Sequence, residues 1–266
     1  MSKVVHAVRW NLFGSIARTA ILIVQLLVLA RILEKDEYGM AAIILTIVNL
    51  ARIVSDFGIS SAIIQAPQDL SNDQRSSLFW FNVLINLLVT AGIFCAAGPI
   101  SAFMRNDALR SLVQACSLVF LFLGLGIQFL AEAQRRLDFG PVAIIESSSL
   151  FIGVVVTLGS AFSGMGALSV VLGGIASSIW MSVFLWWWPG RRWVPALHLR
   201  YGEIAHLLKF GSVLFLSNVL NQLTGITDMF VGSRYLSAST VGAYALPRQM
   251  IFQLYQAINP VITRVA

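Results

Sequence analysis

Eight apolar runs, each long enough to cross a bilayer as a helix, occupy most of this sequence. They are Asn11–Leu33, Met40–Ala66, Leu78–Met104, Leu112–Ala131, Val142–Phe162, Leu168–Trp188, Leu207–Val231 and Val241–Val261. A membrane-crossing helix needs about 20 predominantly apolar residues, and a soluble fold has no use for eight such stretches. Only 11% of the 266 residues are charged, against about 25% in a soluble domain. Too few charges remain to wet a soluble surface, which excludes a cytosolic enzyme, a nucleic-acid-binding domain and a disordered chain. The sequence predicts an all-α polytopic transmembrane helix bundle of about eight spans.

The first run follows Lys3 and Arg9 and is too long for the apolar region of a signal peptide, so it reads as a retained span. Connections are short except for the polar, basic stretch from Pro189 to His206, with Arg191, Arg192, Arg200 and Glu203. With the N-terminus in the cytoplasm, ten Lys and Arg fall in cytoplasmic segments and five in outer ones, while Arg18, Arg52 and Arg248 lie inside spans. Basic residues collect on the cytoplasmic side, so a formal charge of +6 is no nucleic-acid signal. Trp186, Trp187, Trp188 and Trp193 are expected to form an aromatic belt at the headgroups. Cys95 and Cys116 adjoin apolar runs, and His6, His198 and His206 are scattered. That pattern predicts neither a disulfide framework nor a metal site, and no cofactor motif is present.

The spans carry polar stripes. Asn11, Ser15, Arg18 and Gln25 recur on one face of the first. In the second, Thr46, Asn49, Arg52, Asp56 and Ser60 fall within about 120° of arc at 100° per residue. The seventh has Ser217, Asn221, Thr224 and Asp228, and the eighth Tyr244, Arg248, Tyr255, Gln256 and Asn259. Asn82 and Asn86 start a weaker stripe in the third, and Glu146 with Thr157 marks the fifth.

A central Arg or Asp costs about 2.5–3.5 kcal/mol on insertion, so Arg52 with Asp56 costs roughly 6 kcal/mol, about what the Ile, Leu, Val and Phe residues of the second span return. The polar side of that span should therefore face other helices or water. Arg52 and Asp56, at i and i+4, are placed to pair on one helix. Two readings of the stripes stand: hydrogen-bonding glue between packed helices, which suits Asn82, Asn86 and the serines, and a water-filled cavity, which suits arginines that keep their charge at any accessible pH. Asp56, Glu146 and Asp228 are candidate counter-ions or protonatable groups.

The two sides of the long connection resemble each other. Phe13-Gly14-Ser15 and Phe210-Gly211-Ser212 each open a span, and Arg31-Ile32-Leu33 with Gly39 parallels Arg234-Tyr235-Leu236 with Gly242. Both halves start on the cytoplasmic side, which suggests parallel repeats with a site between them. The organisation expected is a six-helix lobe over 1–188, a cytoplasmic linker over 189–206, and the first two helices of an incomplete second, pseudo-symmetric lobe over 207–266.

At these residues the chain resembles a known family. The segments are Arg31-Ile32-Leu33 with Tyr38-Gly39, Ser55-Asp56-Phe57-Gly58-Ile59-Ser60-Ser61-Ala62, Ser76-Ser77-Leu78-Phe79-Trp80-Phe81-Asn82, Gln134-Arg135-Arg136-Leu137-Asp138-Phe139, Leu207-Leu208-Lys209-Phe210-Gly211 and Gly242-Ala243-Tyr244 with Arg248. They are similar to the bacterial polysaccharide-export or oligosaccharide-flippase family of the multidrug/oligosaccharidyl-lipid/polysaccharide exporter superfamily. The resemblance implies two six-helix lobes facing a central cavity and movement of lipid-linked sugar by alternating access across the bacterial inner membrane. By that pattern the sequence is expected to be a partial one. Independently of the resemblance, the sequence offers no nucleophile–base pair, metal cluster or phosphate loop, so enzymatic catalysis is not expected.

The residues expected to line the cavity are Arg18, Gln25, Asn49, Arg52, Asp56, Asn221, Asp228, Tyr244, Arg248 and Asn259. Arginine forks suit a diphosphate, and the amide and tyrosine groups suit a sugar. Expected partners are a polyprenyl-diphosphate-linked oligosaccharide, membrane lipids and polysaccharide polymerase or synthesis machinery, with no nucleic acid. A drug or cation antiporter of the same superfamily, and a non-transporting scaffold for polysaccharide synthesis, are the alternatives.

Overall fold

The computed structural model describes residues 18–188 and 193–235, with side chains through 220, and positions 247 and 251. Helix α1 is described over 18–32. It is followed by α2 (Lys35–Asp56), α3 (Ile59–Gln65), α4 (Asn72–Met104), α5 (Ala108–Leu123), α6 (Ile127–Arg135), α7 (Phe139–Phe162), α8 (Leu168–Trp187) and α9 (Tyr201–Tyr235). No strand occurs among the described residues. Five of these helices are long and apolar enough to cross a membrane, or six if the bent pair α5–α6 is one span. The chain is a multi-pass, all-α membrane protein. The eighth apolar run, Val241–Val261, lies outside the described residues.

The helix ends follow from local sequence. Ser71 and Gln74 form a reciprocal capping box at the start of α4, each side chain bonding the other's backbone N–H at 3.1 Å. The 33 residues of α4 extend about 50 Å, well beyond the hydrocarbon core of about 30 Å. Helices α5 and α6 meet at a 46° bend. Side chains of α8 satisfy the carbonyls exposed there: Ser182 Oγ donates to Phe122 O, and Trp186 Nε1 to Leu125 O at 2.8 Å. Helices α7 and α8 pack closely through small residues, since a Cβ on Gly153 would lie 3.0 Å from the Gly173 oxygen.

The second span is not one continuous helix. Phe57 (φ 46°) and Gly58 (φ 72°) are both left-handed. They end α2 at Asp56 and restart the chain as α3. The five-residue stripe drawn on a continuous helix is broken as a result, because Ser60 belongs to a different helix from Thr46, Asn49 and Arg52.

Residues 193–200, just ahead of α9, form a strap held against the bundle. Ala196 N and Arg200 N donate to Ser76 Oγ and Ser77 Oγ, each at 3.1 Å, and Trp80 Nε1 donates to Ala196 O at 2.8 Å. Trp193 is buried, with Nε1 donating to Glu132 Oε2 at 2.7 Å, and Arg75 Nε lies 3.8 Å from the other carboxylate oxygen. Trp193 and Trp186 pack with Phe79 and Phe129 in an aromatic cluster. The expected aromatic belt is therefore corrected at these two positions, which face protein because the strap folds back over α4 and α6. Trp187, 85% exposed, does point outward. The following helix starts at Tyr201, a turn and a half before the apolar run that announces it.

Candidate functional site: an arginine-bearing face at membrane depth

Charged side chains of α1, α2 and α7 interact. Arg18 in α1 forms an ion pair through Nη2 with Glu146 Oε2 of α7, 128 residues away. Arg52 of α2 is exposed, and its guanidinium lies close enough to that of Arg18 for the two charges to oppose each other. Asn49, one turn before Arg52, is exposed on the same helix. Another face of α2 is buried through Tyr38, Ile44, Ile47 and Ala51. Helix α2 thus packs with its apolar side and leaves Asn49 and Arg52 open.

Asp56 does not pair with Arg52, contrary to the expectation from their spacing. As the last residue of α2, it turns to the restart of the chain: its Oδ1 accepts from Ser60 N at 3.2 Å and from Ser60 Oγ. The carboxylate satisfies the first turn of α3, where N–H groups lack intrahelical partners. Thr46 is buried and donates to Ala42 O at 2.9 Å, so it closes onto its own helix rather than the open face.

Among the described residues, then, the face holds two guanidiniums and one carboxylate bound to one of them. Gln25 sits half-buried on α1, two turns from Arg18. Asn221 and Asp228 fall on the described backbone of α9. Tyr244, Arg248 and Asn259 lie outside the described residues. Glu146 is marked in the sequence as a stripe residue of the fifth span and as a counter-ion or protonatable group, with no partner assigned. Nothing in local spacing could join it to Arg18, because the pairing depends on how α1 and α7 meet.

Asn86 binds two helices together, and Asn82, one turn earlier on α4, supports it. Both are buried; Asn86 Nδ2 donates to Asn82 O and Oδ1 at 2.9 Å and to Ser55 O at 3.2 Å, while Ser55 Oγ donates to Asn86 Oδ1. This network fastens α4 to α2 just behind the charged face. A separate groove of about 400 Å³ runs between α7 and α8, lined by Pro141, Ile144, Trp180, Val183, Phe184 and Trp187 among others. Its walls are apolar and offer no grip for a phosphate or a sugar.

Comparison with known proteins gives this arrangement its setting. The family described as polysaccharide biosynthesis protein matches residues 28–266. The chain belongs to that family. It is 29% identical over 263 residues to the lipopolysaccharide biosynthesis protein WzxC of Escherichia coli K12, covering 99% of this chain and 53% of that protein. It is 26% identical over 264 residues to the teichuronic acid biosynthesis protein TuaB of Bacillus subtilis 168, covering 99% and 54%. It is also 26% identical over 264 residues to the succinoglycan biosynthesis transport protein ExoT of Rhizobium meliloti 1021, covering 96% and 52%. The chain spans about half the length of these relatives. No solved structure matches it.

Proposed function

We propose that the protein translocates an oligosaccharide carried on a polyprenyl diphosphate from the cytoplasmic to the outer leaflet of the bacterial inner membrane, by alternating access between two lobes. The observation that carries this reading is the open Asn49–Arg52 face of α2 beside Arg18. Permanently charged guanidiniums at membrane depth require an anion or water, and their planar forks match phosphate oxygens. The name of the similar ExoT, a succinoglycan biosynthesis transport protein, supports transport of a polysaccharide precursor. An enzyme reading has no comparable support among the relatives.

In this reading residues 1–188 form the first lobe, 189–206 the cytoplasmic connection and 207–266 the opening of the second lobe. The N-terminus is cytoplasmic, as the distribution of Lys and Arg indicates. Helix α9 packs on α2, α3 and α4, which supports reading it as the opening of a second lobe that faces the first. Asn221 and Asp228 on α9, with Tyr244, Arg248 and Asn259, complete the cavity and contact sugar or diphosphate. Polymerase or synthesis machinery receives the product.

The test is complementation in a bacterium deleted for its own homologue. Arg52→Ala should abolish surface polysaccharide and leave lipid-linked precursor facing the cytoplasm, at normal protein abundance in the membrane. Lys at that position should restore part of the export, because it keeps charge without the fork. Full export by Arg52→Ala and Arg18→Ala would overturn the anion-binding reading and favour the antiporter or scaffold.

A further inference from the structure

The pairing of Arg18 with Glu146 has a chemical consequence for the ligand of this face. Glu146 is the one acidic residue of α7, two turns after Phe139 in a helix long and apolar enough to cross the membrane. Its carboxylate is 24% exposed and its partner Arg18 41% exposed, so the pair borders open space rather than the packed core. The other carboxylate close in sequence, Asp56, is engaged by Ser60. Arg52 has no acidic partner among the described residues.

We infer that Glu146 is an internal counter-ion that occupies Arg18 in the empty protein and is displaced from it by the diphosphate of the substrate. This rests on the reading of the face as an anion site. A partly exposed ion pair is worth little in net free energy, so it is exchangeable. A diphosphate brings more charge and more acceptor oxygens than one carboxylate, and it engages Arg18 and Arg52 together through bidentate bonds. The exchange does two things. It holds the Arg18 charge neutral while no substrate is bound, and it frees α7 from α1 when substrate arrives. Glu146 is thereby a positioning residue that links occupancy of the site to the relation between two helices of the first lobe.

Farnesyl diphosphate is a suitable probe, titrated calorimetrically into the purified chain in detergent, with farnesol as the uncharged control. Glu146→Gln should bind it up to about fivefold more tightly than the parent, the factor that relief of a pair worth up to about 1 kcal/mol gives. Glu146→Asp, which keeps the charge, should fall between the two. Arg52→Ala should bind more weakly, and farnesol should show none of these differences. If Arg52→Ala weakens binding but Glu146→Gln does not tighten it, the counter-ion inference fails while the anion site stands. If neither parent nor Glu146→Gln prefers the diphosphate to farnesol, both fail.

A second measurement leaves Glu146 in place. Spin labels at Leu27→Cys and Phe151→Cys, on a background lacking Cys95 and Cys116, report the α1–α7 distance. Farnesyl diphosphate should shift that distance distribution, and an unchanged distribution at saturating probe would overturn the exchange.

Discussion

Gly58 and Gly211 touch backbone to backbone: a Cβ added to Gly58 would lie 2.1 Å from the Gly211 carbonyl oxygen. Gly58 restarts the broken second span and Gly211 lies in α9, so the contact joins that span to the helix that follows the strap. The ring of Phe57 packs beside it, tilted on Phe215 with centroids 4.9 Å apart and edge-on to Phe81 at 6.2 Å. A close approach of this kind between helices requires small residues.

Substitution at the two glycines should be unequal. Gly58→Ala places a side chain in a left-handed conformation, at roughly 1–2 kcal/mol, and drives its Cβ into backbone that cannot swing aside. Gly211→Ala brings a Cβ to 2.9 Å from the Gly58 oxygen with no dihedral penalty, so overpacking alone should cost about 1 kcal/mol. Thermal unfolding in detergent should rank parent, Gly211→Ala and Gly58→Ala in falling order. A Gly58→Ala protein as stable as its parent would contradict the contact.

Asn86 should be among the least replaceable polar residues of the bundle. Asn86→Ala removes the bonds to Ser55 and Asn82 and leaves buried groups unsatisfied, with an expected loss of about 2 kcal/mol. Ser55→Ala and Asn86→Ala combined should lose less than the sum of the singles, because both delete one shared network. A double-mutant cycle by chemical unfolding measures this, and strict additivity would count against the network.

Trp193→Phe should loosen the strap without unfolding the helices. It retains most of the aromatic packing but removes the indole N–H from Glu132, leaving a buried acceptor that costs about 1–3 kcal/mol. The expected readout is faster trypsin cleavage at Arg200, with far-ultraviolet circular dichroism unchanged. Equal cleavage rates would show that the Trp193–Glu132 bond does not hold the segment.

Topology is open to direct labelling. Leu197, 92% exposed, and Ser2 are suitable single-cysteine positions on a background lacking Cys95 and Cys116. An impermeant thiol reagent should reach both only after the inner membrane is opened. Reaction at either in intact cells would reverse the orientation inferred from Lys and Arg.

The helices were legible because membrane spans are written as long apolar runs, and Asn82 and Asn86 were legible as glue because amides buried between helices have few other uses. The break at Phe57–Gly58 was harder to read. Glycine alone is tolerated in many spans, and the second left-handed residue is a phenylalanine whose conformation depends on its neighbours. That break also redirected Asp56 from Arg52 to Ser60, which i,i+4 spacing could not reveal. The Arg18–Glu146 pair joins positions that only the assembled bundle brings together. The Pro189–His206 stretch reads as a spacer by composition, while its attachment depends on Ser76, Ser77 and Trp80 more than 110 residues earlier.

The strap has a bearing on how the protein is made. Helices α4 and α6 are synthesised well before residues 193–200, so Glu132 and Arg75 have no tryptophan over them while the intervening spans enter the membrane. Their burial waits for the ribosome to deliver Trp193 and for α9 to follow. Closing the strap is therefore a late event in biogenesis, and a chain halted after α8 would leave a charged, water-accessible notch at the membrane surface for quality-control proteases to find.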